Sequence, residues 1–180
     1  QALAEANKGD IIVFMPGHAQ TVIAATEFAP AKAGVTYVSL GKGADRATFT
    51  FGTNTTANIP VTAASCAFYD ILCVSALDSV VAAFTISAAD VILDGIEIRD
   101  TTDIEFVTPI LTTTAANRLT IRNYYHDGFI TGNACTESIS LIGVDSCLIE
   151  NSRIAGNFST ACINMLTTAS TKVVIRGITF

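Results

Sequence analysis

"LTIRNYYH", Leu119–His126, decides the fold once three other phrases are stacked with it: "VILDGIEI" (Val91–Ile98), "CLIENSRI" (Cys147–Ile154) and "VVIRGITF" (Val173–Phe180). Each runs through mostly apolar residues, then one charged residue, then Gly or Asn, then mostly apolar or aromatic positions. The charged residues are Asp94, Arg122, Glu150 and Arg176, spaced 28, 28 and 26 residues apart. Gly95, Asn123, Asn151 and Gly177 follow them. Gly and Asn are the residues that most readily take left-handed backbone angles, so one repeat position holding only these two predicts a bend. "AFYDILCV" (Ala67–Val74) fits the same frame one unit earlier, with Asp70 in the charged role 24 residues before Asp94; "VTYVSLGKG" (Val35–Gly43) fits more loosely.

A second phrase precedes each of these. "NIPVTAAS" (Asn58–Ser65), "AFTISAAD" (Ala83–Asp90), "PILTTTAAN" (Pro109–Asn117) and "CINMLTTAS" (Cys162–Ser170) read as short strands ending in small residues. Each unit therefore holds at least two strands and a tight corner, with no helical periodicity. Lacking a crossover helix, such units do not build a βαβ fold. They predict an all-β parallel β-helix of about six to seven coils, in which equivalent residues stack about 4.8 Å apart. The ladder Asp94–Arg122–Glu150–Arg176 then alternates in sign up one face, which favours this register over a slipped one.

Composition agrees. The 180 residues make one domain, half of them hydrophobic and only 14% charged, rich in the Thr, Val, Ile and Ala that suit strands. No apolar run reaches the roughly 18 residues of a membrane helix. The net charge of −6, with ten scattered basic residues, argues against nucleic acid as a partner. Cys66, Cys73, Cys135, Cys147 and Cys162 form no CxxC pair and read as small buried hydrophobes rather than metal ligands.

At the start, "ALAEANKGDIIVFMPG" (Ala2–Gly17) reads as a short Ala-rich helix, a Gly turn, the strand Ile11–Met15 and a Pro-Gly corner. Residues 1–10 would cap the first coil, as a solenoid edge requires. The chain ends on a strand phrase at Phe180, so continuation or a partner is expected to cover that end. "GDIIVFMPG" resembles the opening of pectate-lyase-like right-handed β-helix domains. "PGHAQTV…AGVTYVSLGKGADRATFTF" (Pro16–Phe51) resembles β-helix proteins of tailed phages, many of them virion components. The resemblance implies a right-handed solenoid and a structural virion protein, as capsid decoration, fibre or spike, assembled in the host cytoplasm. It implies other virion proteins as partners and a homo-oligomer, with a trimer as one form. The alternative it implies is a tailspike-type module that binds or degrades a host surface polysaccharide, as a lyase or glycoside hydrolase.

The residues themselves show little chemistry. Glycosidases need two carboxylates several ångströms apart. "DGIEIRDTTDIE" (Asp94–Glu105) supplies Asp94, Glu97, Asp100, Asp103 and Glu105, of which Asp94 belongs to the ladder and the others read as an exposed turn. Tyr124, Tyr125, His126 and Asp127 form the other candidate, a turn that would touch a ligand. If the strand persists there, His126 and Asp127 point to opposite faces and make no catalytic pair. His18 reads as a distant corner residue. No catalytic residue, metal ligand or cofactor is assigned.

Overall fold

The computed structural model describes residues 5–128, 135–165 and 168–180. Ala2–Ala4 of the expected capping helix lie outside them. The described chain is a parallel β-solenoid with three faces and almost no helix. The first face stacks β1 (Ile11–Phe14), β3 (Thr36–Ser39), β6 (Ala67–Tyr69), β9 (Ile92–Asp94), β12 (Thr120–Arg122), the start of β15 (Asp145–Ala155) and β17 (Thr171–Thr179). The second stacks β2 (Ala19–Thr21), β4 (Thr48–Phe51), β7 (Leu72–Ser75), β10 (Glu97–Arg99), β13 (Tyr125–Asp127) and the end of β15. The third stacks β5 (Ile59–Val61), β8 (Phe84–Ile86), β11 (Ile110–Thr112), β14 (Cys135–Ser140) and β16 (Phe158–Asn164). Successive coils pair in parallel on every face, giving about six turns. Each repeated phrase thus holds two strands bent in the middle, and the unit has three strands.

The bend lies where the Gly/Asn ladder predicts it. Gly95, Asn123, Asn151 and Gly177 all have positive φ, between 50° and 69°. Asp70, at φ 58°, is the rung below Gly95. This corrects its expected place: Tyr69, not Asp70, pairs with Asp94. Aspartate tolerates the left-handed region, so one residue type suited both positions and the frame slipped by one. The backbone N–H groups of Asp70, Gly95 and Asn123 donate to the carbonyls of Asp94, Arg122 and Glu150 one coil on. The bend therefore leaves the inter-coil ladder unbroken.

A second ladder of left-handed residues, invisible in the sequence, leads into the first face. Gly9, Gly34, Ser65, Asp90, Arg118, Ser146 and Lys172 all have positive φ and occupy equivalent places. Here too the N–H groups of Gly9, Gly34, Ser65, Asp90 and Arg118 reach carbonyls of the next coil at 2.8–3.0 Å.

Inward side chains fill the lumen. Tyr37, Phe68, Leu93, Ile121 and Ile149 form one ladder, with Tyr37 and Phe68 stacked at 4.9 Å. Cys66, Cys73, Cys135 and Cys147 are buried as free thiols, and burial pushes the Cys147 thiol up to about 12. Outside, the charged ladder resolves into couples. Arg122 pairs with Asp94 at 2.8 Å and Arg176 with Glu150 at 2.6 Å. Arg122 and Glu150 are register partners that each turn to the other neighbour.

The corner geometry generates a prediction. Asn151→Gly should be nearly neutral, whereas Asn151→Val, forcing a β-branched residue left-handed, should cost about 1–2 kcal/mol. Urea unfolding of the two variants measures the difference.

Candidate functional site

The strand does persist through the opening phrase, and β13 divides the expected ligand residues between two sides. Tyr124 and His126 are buried; Tyr125 faces out beside the exposed Asp127. The expected turn is a strand because Tyr125, His126 and Asp127 pair with Glu97, Ile98 and Arg99 below and Arg153, Ile154 and Ala155 above. His126 is thus a rung of the inward ladder that includes Phe49, Cys73, Ile98 and Ile154.

A polar side chain in that ladder needs partners, because an unpaired buried group costs about 1–3 kcal/mol. It has them. His126 Nε2 lies 2.8 Å from Asp100 Oδ2, and Nδ1 lies 2.8 Å from Ser138 Oγ. Tyr124 Oη lies 2.9 Å from the same Ser138 hydroxyl. The Phe106 N–H donates to Asp100 Oδ1 at 3.2 Å. One proton arrangement satisfies the chain: Tyr124 O–H donates to Ser138, Ser138 O–H to Nδ1, and Nε2–H to Asp100.

Aspartate, histidine and serine in hydrogen-bond contact is the arrangement of nucleophilic hydrolysis. Here the His126 and Asp100 side chains are fully buried, as is Ser138. Ser138 Oγ is engaged on both sides, and neither surface groove is lined by any of the three. The arrangement is a sealed brace that ties the second face to the third. Sequence reasoning missed Ser138 altogether, since its link to His126 runs across the lumen.

The acidic segment is not an exposed turn, with one exception. Glu97 is buried between Arg46 and Arg99. Asp100 belongs to the brace, and Glu105 is buried. Only Asp103, left-handed at φ 56°, sits out in the turn as expected. Partners from other coils, Arg46 for Glu97, His126 for Asp100 and the Cys135 N–H for Glu105, draw these acids inward, and the local sequence does not reveal them. Glu105 accepts a hydrogen bond from the Cys135 N–H, while its Oε1 and Glu137 Oε2 have no partner among the described residues. Burial, reinforced by Asp100 and Asp78, pushes the Glu105 carboxyl above the ordinary carboxylate range. Among the described residues no group of three or more His, Cys, Asp or Glu is arranged to hold a metal. His18 lies far from all of this, 5.1 Å from the Phe14 ring.

Two open grooves mark the outer surface. One, of about 480 Å³, is lined by Asn123, Tyr125, Asn151 and Arg153 among others. Arg153 sits over the Tyr125 ring at 5.3 Å and reaches its hydroxyl at 3.3 Å. Of the four expected ligand residues, Tyr124 and Tyr125 line this polar concavity, Tyr124 buried beneath it and Tyr125 facing out. The other, of about 430 Å³, is more apolar, with Leu148 and Val174 between Arg118, Lys172 and Arg176.

Two predictions follow from the buried groups. Ser138→Ala strands both Tyr124 Oη and His126 Nδ1, so it should cost about 1–3 kcal/mol in chemical denaturation. For Glu105 the folded state binds the proton more tightly than the unfolded chain does. Its stabilising contribution is present below the unfolded pKa and lost as pH rises through the folded one. Glu105→Gln should therefore melt higher than wild type at neutral pH. The gap should close as pH falls through the carboxylate range, measured by thermal melts at stepped pH.

No protein-family model, curated protein or solved structure matches the chain.

Proposed function

We propose that this solenoid is a structural virion protein of the pectate-lyase-like β-helix kind, serving a tailed phage as capsid decoration or as part of a fibre or spike. One observation carries the reading: the ion pairs along the first face, Asp90–Arg118, Asp94–Arg122, Asp145–Lys172 and Glu150–Arg176, hold one coil to the next. An enzyme would gather such groups in a cleft with reactive atoms open to substrate. Here the Asp100–His126–Ser138 constellation, which has hydrolytic spacing, is sealed. A stiff, chemically quiet rod suits a part whose work is mechanical, assembled in the host cytoplasm with other virion proteins. Mass spectrometry of purified particles, with antibody labelling by electron microscopy, should find the chain at fixed copy number; its absence from particles sinks the idea.

The Tyr125–Arg153 groove favours a second reading, binding of a host surface polysaccharide. A tyrosine ring offers a face to a sugar, and Asn123, Asn151 and Arg153 offer hydrogen bonds. On this reading a glycan array shows retained ligands, and Tyr125→Ala with Arg153→Ala weakens them about tenfold or more without lowering the melting temperature. A degrading module would in addition release reducing ends or unsaturated uronates. Silence across the array leaves only the structural role.

A further inference from the structure

We propose that the outer side of the first face, over its last four coils, is a self-association surface that pairs two copies in antiparallel fashion about a two-fold axis. Three parallel rows run up this face. The corner row reads Asp90, Arg118, Ser146, Lys172. The middle row reads Ile92, Thr120, Leu148, Val174. The third row reads Asp94, Arg122, Glu150, Arg176. An apolar strip between two charged rows has the layout of an interface core and its rim. The strip is open: Val174 is 50% exposed, and the apolar groove lies along Leu148 and Val174.

The order of charges selects the geometry. A two-fold axis along the strands, passing midway between the Arg122 and Glu150 coils, turns the face over and reverses the coil order. It sets Asp94 opposite the second copy's Arg176 and Arg122 opposite its Glu150. The same axis sets Asp90 opposite Lys172, and Arg118 opposite Ser146, whose neighbour is Asp145. In the middle row it sets Ile92 opposite Val174 and Thr120 opposite Leu148. One operation thus satisfies all three rows at once. A parallel two-fold centred on the third row brings Arg122 onto Arg122 and Glu150 onto Glu150, which like-charge repulsion opposes. Four coils at about 4.8 Å each make a small contact, so the dimer is expected to be concentration-dependent and weakened by salt.

Complementary charge reversals test it. Arg122→Glu sets glutamate against Glu150 across the axis twice over, and Glu150→Arg sets arginine against Arg122 in the same way. Each variant alone should associate at least about tenfold more weakly than wild type. In an equimolar mixture every opposed pair becomes complementary again, and the heterodimer should recover. Sedimentation velocity at low and high salt reads the association, and circular dichroism melts show that both variants fold. Val174→Asp, at an exposed site, should abolish the dimer with the fold intact. A wild-type protein that stays monomeric at high concentration, or a mixture that associates no better than the single variants, overturns the proposal. So does dimerisation indifferent to both reversals.

Discussion

The continuous ladder of backbone hydrogen bonds from one coil to the next is the constraint on which the rest of this molecule depends. Each strand is short, three or four residues in most cases, and gains little from its own length. Stability comes from stacking, and stacking survives a corner only where the chain turns sharply without turning its N–H away. Left-handed residues do this. At both corners of the first face they send their amides to the next coil at ordinary hydrogen-bond distances. The conformation costs a residue with a side chain about 1–2 kcal/mol, and the preserved bond and stacked side chains offset it.

That balance explains what was legible. The bend at Gly95, Asn123, Asn151 and Gly177 stood out because those residue types advertise left-handed backbone. The companion corner did not, because Arg118, Ser146 and Lys172 take the same conformation with no compositional signal. There the neighbours enforce the geometry: Arg118 is clamped by two hydrogen bonds to Asp90, at 2.5 and 2.6 Å. The misplacement of Asp70 has the same root, since aspartate serves equally as a charge and as a corner. The parallel architecture was thus readable from a repeated phrase, while the third strand of each coil lay hidden inside phrases that looked single.

The candidate site was legible only in part. Alternation alone separates His126 from Asp127, and the structure agrees. What joins His126 to Asp100 and Ser138 is a lumen that brings two successive coils together, and no local pattern encodes it. An apolar residue at position 126 would have continued the ladder of Ile98 and Ile154 without any partners. The histidine instead makes the level it occupies unlike its neighbours, since there a carboxylate, a hydroxyl and a phenol converge. A slipped stacking would bury those groups unpaired, so the brace specifies vertical alignment in an otherwise forgiving wall.

The alternating outer row bears on how such a rod changes length. Its backbone units are nearly interchangeable, and a coil lost or duplicated would still find hydrogen bonds above and below. The charges are not so tolerant. Removing the coil that carries Arg122 would lay Asp94 directly under Glu150, two carboxylates one strand spacing apart. Removing it together with the Glu150 coil would lay Asp94 under Arg176 and restore an opposite pair. On this side the solenoid has a grain of two coils, so growth and shrinkage in pairs are favoured over single steps.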